Sequence, residues 1–240
     1  MKKEKKQSIL VRFLYFILRK IKKQPVIVNL NEQISERAIF VSNHSAANGP
    51  LTLSLYFPKQ FRPWGIYYMC QGYKSRWKYL YYVFYQQKLG WGKLKSFVVA
   101  TLFSIISGVV YRAMEVIPSY TDGRLKSSIK MSIDHLELNQ SILIFPENSD
   151  NGYHKVLTHY NPGFVFLAEQ FFKKHNVDVP IYTVYFSKTD NALIIDKPKY
   201  IQPLIKEGLN KDQIAEIFKE RTNELYNLLL ANLNKPADVK

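Results

Sequence analysis

The stretch that most restricts the fold runs from Asp122 to Pro146. Between Asp122 and Leu138 the chain is charged, with Leu125, Ile129, Ile133 and Leu136 at the spacing of one helical face. It then enters SILIF (141–145), five residues without a charge, and is stopped by Pro146. So short an apolar run, closed by a residue that cannot continue a ladder, predicts a buried strand. The same alternation recurs along the chain. RAIFVS (37–42) reads as a buried strand, 162–174 as a helix, and Val179–Phe186 and Ala192–Ile195 as two further strands. Asn210 with Gln213 three residues later forms a capping box. It opens a last helix whose apolar face holds Ile214, Ile217, Phe218, Leu225 and Leu229. Strands and helices taking turns predict an α/β fold. The chain has 240 residues, 47% of them hydrophobic. That suits one α/β domain or at most two small ones. No repeat, low-complexity block or internal linker interrupts it.

Charge points to an anionic partner. Lys and Arg number 34 against 19 Asp and Glu, a net +15, and residues 1–23 carry nine of the basic side chains and one acid. Such a balance fits lipid headgroups, nucleic acid or an acidic carrier. Ser8–Leu18 is apolar apart from Arg12, but too short to span a bilayer. It is followed by RKIKKQP rather than by a small-residue cleavage site. Wound as a helix, Lys5, Arg12, Arg19 and Lys23 share a stripe, with Ile9, Phe13, Phe16 and Ile17 away from it. That is the pattern of a helix lying in the membrane interface, and residues 1–30 are read as a membrane-associating segment ahead of a domain at 31–240. Residues 56–95 interleave aromatic and basic side chains and hold Trp64, Trp77 and Trp91. This mixture favours the water–lipid boundary, and it also describes a platform for single-stranded nucleic acid. Phe97–Tyr111 is uncharged and reads as a buried or half-inserted helix. Cys70 is the single cysteine, so no disulfide forms within the chain, and a cytosolic setting is expected.

Two strand ends concentrate polar chemistry, SNH (42–44) and FPENSD (145–150). Open α/β sheets bind ligands just beyond the carboxyl ends of their strands. His44 directly follows a strong strand, and Glu147 is a carboxylate in a comparable place. His154 and His159 are five apart, which does not suit a metal pair on a helix, and no Cys or Glu cluster joins them. No metal is expected. Neither a Gly-rich phosphate loop nor a Gly-x-Ser-x-Gly elbow occurs.

SNHSAANGP (42–50), VIPSY (116–120), ILIFPENSDNGYHKVLTHYNPGFVFLA (142–168) and VPIYTVYF (179–186) resemble, in order, the four blocks of the glycerolipid (lysophospholipid) acyltransferases. The resemblance covers roughly residues 37–200. It implies that family's α/β sandwich, a mixed central sheet flanked by helices, here with an N-terminal interface helix. It also implies transfer of an acyl group from acyl-CoA or acyl carrier protein to a lipid hydroxyl, often on lysophosphatidic acid, with no acyl-enzyme and no further cofactor. His44 would be the general base and Glu147 a catalytic partner. Asn43, Asn48, Gly49, Tyr120, Pro146, Asn148, Ser149 and Asp150 would line the substrate site. An alcohol is protonated at neutral pH, and an imidazole of ordinary pKa ~6.5 suits the removal of its proton. The protein would work on the cytoplasmic face of a membrane.

The chain departs from the family pattern in a consistent way. Where the family carries Asp, five residues after the His, stands Gly49, with Asn48 before it. The Arg that closes the second block is Tyr120, and the Gly-Thr-Arg after FPE is Asn148, Ser149 and Asp150. An acceptor without phosphate would need neither Arg; alternatively Arg124, Lys126 and Lys155 replace the charge. Two other functions are to be weighed against the enzyme: a catalytically silent lipid-binding protein of the same fold, and a nucleic-acid-binding protein.

Overall fold

The computed structural model describes residues 9–45, 48–147 and 156–233. They fall into two compact units. One takes the chain up to Ile21 together with Arg62–Met131, and the other takes Lys22–Phe61 together with Ser132 onward.

The second unit carries the sheet that positions the strand ends. Its strands are β1 (Val26–Asn29), β2 (Ile39–Ser42), β5 (Ser141–Ile144), β6 (Ile181–Ser187) and β7 (Ala192–Lys199), in the spatial order β1-β7-β6-β2-β5. β2 runs parallel to both β5 and β6, β1 runs parallel to β7, and β6 and β7 form an antiparallel hairpin, so the sheet is mixed. Every residue of β2, β5 and β6 is buried. These are the uncharged runs of the sequence, and burial on both faces is why they show no alternation. Helices flank the sheet. α2 (Asn48–Tyr56) follows β2; α7 (Gly163–His175) buries Phe164, Val165, Leu167, Ala168 and Phe171; α8 (Ile201–Lys206) precedes α9 (Lys211–Leu233). α9 buries Ile214, Phe218, Leu225 and Leu229, four of the five positions expected on its apolar face. The Phe164 and Phe218 rings meet edge-on at 5.2 Å, joining the two long helices. The capping box is present in full: Asn210 N donates to Gln213 Oε1 and Gln213 N to Asn210 Oδ1, both at 2.9 Å.

The first unit contains α1 (Ile9–Ile21), all but the first residue of β3 (Phe61–Ile66), α3 (Tyr67–Cys70), α4 (Tyr73–Lys78), a π-helical segment at Tyr79–Lys88, α5 (Lys93–Ala113) and β4 (Ile117–Ser119). α6 (Leu125–Glu137) begins in this unit and ends in the other. β3 and β4 pair in parallel with Trp64 opposite Ile117. α5 is 21 residues long, about 31 Å at 1.5 Å per residue. Its buried face is a row of small residues, Ser96, Ala100, Ser104, Ser107 and Gly108. Against that row lie Trp77, whose Nε1 donates to Thr101 Oγ1 at 3.0 Å, and Arg76, whose Nε donates to the Ser104 carbonyl at 3.1 Å. The Arg76 guanidinium lies where a Cβ on Gly108 would stand, 2.4 Å from its Nη2. The other face is apolar and exposed: Leu94 (80% exposed), Phe97, Val98, Leu102 and Ile105. α1 likewise exposes Phe13, Phe16 and Ile21. The helix expected at 97–111 is therefore longer than its uncharged core, and it is covered on one face only. Among the described residues α5 is the one helix long and apolar enough to cross a membrane.

Candidate active site at the ends of three parallel strands

Parallel pairing brings the two polar strand ends together. Ile39 lies opposite Ile142 and Val41 opposite Ile144. Carried past the strands, that register sets His44 opposite Glu147. The side chain completes the match: Glu147 Oε1 accepts a hydrogen bond from the His44 backbone amide at 2.5 Å. The His44 ring is half-buried and stands edge-on to the Phe145 ring, with centroids 4.9 Å apart. Ser45, the next residue, has φ 45°, in the left-handed region that a non-glycine residue rarely adopts. The chain thus turns sharply at the imidazole, the kind of local strain that clusters at functional sites.

β6 ends at the same edge, because it too is parallel to β2. Asn43, expected among the substrate contacts, commits its whole amide to that strand. Its Nδ2 donates to the Phe186 carbonyl at 2.9 Å, and its Oδ1 accepts from the Phe186 amide at 2.7 Å. Asn43 is 4% exposed, so this is a buried strap between the loop that carries His44 and the end of β6. Asn223 of α9 holds the Leu157 backbone in the same two-bond manner. Pro146 is buried, and its carbonyl accepts from both the backbone and the side chain of Asn161. Glu147 itself bridges to Tyr160. The Tyr160 phenol is buried and donates to Thr222 Oγ1 at 2.9 Å. Burial pushes its pKa up, as it does that of Tyr185, which rises to about 12 with help from the charges of Asp190 and Glu147.

Gly49 explains one departure from the family pattern. A Cβ placed there would stand 2.3 Å from the His44 carbonyl oxygen, a backbone atom with nowhere to go. An Asp at this position, the family's usual choice, does not fit the backbone as folded. Asn48 beside it is occupied: Lys22 Nζ donates to Asn48 Oδ1 at 2.9 Å. Tyr120 belongs to the first unit, where its ring stacks on Tyr67 at 5.2 Å and lies beneath the Arg124 guanidinium at 4.6 Å. Arg124 in turn is paired with Asp122 and holds that carboxyl down at about 2. Asn148, Ser149 and Asp150, and with them Lys155, lie outside the described residues.

The site therefore gathers His44, Glu147, Asn48 and Gly49. It adds three residues that are not among the site residues expected from the sequence: Lys22, Phe145 and Phe186. In sequence Lys22 is merely one cation in RKIKK; only the fold sets it beside Asn48. Among the described residues no group of three or more His, Cys, Asp or Glu side chains is placed to hold a metal.

Comparison with protein-family models and with curated proteins gives no match. Among solved structures the chain is similar to the crystal structure of the 1-acyl-sn-glycerophosphate (LPA) acyltransferase, PlsC, from Thermotoga maritima. The identity is 13% and the TM-score 0.47, over 92% of this chain and 88% of that one. The chemistry rests on the side chains themselves.

Proposed function

We propose that this protein is a membrane-associated acyltransferase that moves an acyl group from a thioester, acyl-CoA or acyl carrier protein, to a lipid hydroxyl. The observation that carries the reading is the His44–Glu147 contact across the β2–β5 register. Two segments a hundred residues apart, singled out by their resemblance to the first and third acyltransferase blocks, meet at one sheet edge where α/β folds bind ligands. His44 would take the proton of the acceptor hydroxyl as its oxygen attacks the thioester carbonyl. The C–S bond then breaks, and the imidazolium returns the proton to the departing thiolate. General-base help of this kind is worth typically ~10²–10⁴ in rate. A carboxylate anchored on the His44 backbone amide would favour the positive charge that the ring acquires, a duty the family gives to the Asp that Gly49 replaces. The exposed apolar faces of α1 and α5 and the basic N-terminal residues support work at a lipid surface on its cytoplasmic side.

Gly49 also favours a second reading, a catalytically silent lipid-binding protein, since the usual carboxylate is sterically excluded there. One experiment separates the two. The purified protein is incubated with radiolabelled acyl-CoA or acyl carrier protein and a panel of lipid alcohols. The enzyme reading expects transfer that falls at least a hundredfold in His44→Ala. No transfer to any acceptor, or transfer that survives His44→Ala, refutes it. A nucleic-acid partner would instead show tight oligonucleotide binding that weakens steeply with salt.

A further inference from the structure

The strand edge that holds His44 also holds cations, and they are not those the family pattern would supply. Lys22 is fixed at both ends of its own length. Its carbonyl accepts from the Tyr56 hydroxyl at 2.5 Å, at the far end of α2, while its ammonium donates to Asn48 Oδ1 at 2.9 Å, at the start of α2. The ammonium stands 5.9 Å from the centroid of the Phe186 ring, the residue whose backbone Asn43 holds. Lys188 directly follows β6 and is exposed. The turn it opens is tied to the Lys22 segment by two hydrogen bonds, Asn191 Nδ2 to the Gln24 carbonyl at 2.8 Å and Val26 N to the Asn191 carbonyl at 3.0 Å. The two ammonium groups feel each other: burial lowers the pKa of Lys22, and the Lys188 charge lowers it further. Among the described residues neither makes an ion pair with a carboxylate. Asp190, the nearest acid in sequence, accepts a hydrogen bond from the Ser187 hydroxyl.

Two cations carried by segments that are hydrogen-bonded to each other at this strand edge, one of them anchored by a neutral amide instead of an acid, are stabilised when an anion arrives between them. We propose that Lys22 and Lys188 form a phosphate-binding subsite that orients a phosphorylated substrate toward His44. The proposal rests on the acyltransferase reading for its purpose, although the anion site itself is a matter of binding alone. The phosphate belongs either to the lipid acceptor or to coenzyme A, and the chemistry of recognition is the same for both. It also accounts for Tyr120 standing where the family has an arginine, since the charge enters from the N-terminal segment and from the end of β6 instead.

The test measures binding, so that it does not depend on turnover. Full-length wild type, Lys22→Gln/Lys188→Gln and Lys22→Arg/Lys188→Arg are titrated by calorimetry. The ligands are dihexanoyl phosphatidic acid below its micelle concentration, coenzyme A, and dihexanoylglycerol as the neutral control. Removing one charge-assisted hydrogen bond from the subsite costs on the order of tenfold in affinity. The glutamine pair is expected to weaken at least one phosphorylated ligand by that factor or more and to leave the neutral control unchanged, while the arginine pair retains the affinity. Loss confined to phosphatidic acid assigns the phosphate to the acceptor, and loss confined to coenzyme A assigns it to the donor. Equal affinities in wild type and glutamine pair for both phosphorylated ligands overturn the proposal, as does equal weakening toward the neutral control. Should circular dichroism show the pair misfolded, Lys188→Gln alone is read, since Lys188 is exposed. Retained phosphate affinity in a wild-type protein that transfers no acyl group to any acceptor, or whose transfer survives His44→Ala, would sink the enzymatic reading and leave this subsite standing.

Discussion

Asn43→Ala separates a strap from a substrate contact. The substitution deletes one donor and one acceptor, both engaged by the Phe186 backbone at 2.9 and 2.7 Å, in a place where Asn43 is 4% exposed and Phe186 1%. Water has no ready route to replace them. Each polar group orphaned by such a deletion costs about 1–3 kcal/mol, so the two together cost about 2–6 kcal/mol before relaxation. With total stabilities of about 5–15 kcal/mol, that is a large share. Urea unfolding should be followed by far-ultraviolet circular dichroism, because Trp64, Trp77 and Trp91 all belong to the first unit and would report on that unit. Hydrogen exchange at the Phe186 amide, which donates to Asn43 Oδ1, gives the local readout and should accelerate strongly. Asn43→Asp sharpens the test. It keeps the acceptor but turns a carboxylate oxygen toward the Phe186 carbonyl, which raises the folded pKa of the introduced carboxyl above its ordinary value of about 3.9. The folded state then binds the extra proton first, so stability relative to wild type improves as the pH falls through the folded pKa toward the unfolded one. A loss below about 1 kcal/mol in Asn43→Ala, with Phe186 exchange unchanged, would show that the strap does not bear on stability and refute the reasoning.

Three further outcomes are expected. Gly49→Ala drives a Cβ onto the His44 carbonyl and should cost about 1–3 kcal/mol by overpacking, read from the urea midpoint; Gly49→Asp should be no more active than Gly49→Ala. Replacing Leu94, Leu102 and Ile105 on the exposed face of α5 by Ser should weaken co-sedimentation with vesicles of 30% anionic lipid by more than tenfold, and unchanged sedimentation would remove that face from the membrane contact. Burial pushes the Cys70 thiol up from 9.0 to about 11; its alkylation by iodoacetamide at pH 8 should run about a hundredfold slower in the folded protein than in urea, because the thiolate fraction falls in that proportion.

The legible parts of the fold were the strands whose residues are buried on every side. Ile39–Ser42, Ser141–Ile144 and Ile181–Ser187 announced themselves as uncharged runs. β3 and β4 did not, because Pro63 and Pro118 lie inside them and Arg62 sits at the start of β3; proline argues against a strand from sequence alone. β1 was silent for a different reason: VIVN is only four residues long and half-exposed at the sheet edge. At the site, His44 and Glu147 were readable because each follows a strong strand. Asn43 looked identical in kind to its neighbour His44, and only the parallel pairing of β2 with β6 reveals that its amide faces a backbone. Lys22 depends on its reach to Asn48, twenty-six residues on, which no local pattern encodes; the tight approach of Gly49 to the His44 carbonyl is local, but it needs the folded backbone to be seen.

On α5, the glycine at 108 admits the Arg76 guanidinium against the helix backbone, and the planar group is held there by the carbonyls of Ser104 and Gln71. A flat cation seated in a notch works like a key in a shaft. The helix cannot roll about its axis or slide like a piston without ejecting a charged group from its seat. The greasy side of α5 thus has a fixed bearing within its own unit, and whatever it meets is met in one orientation.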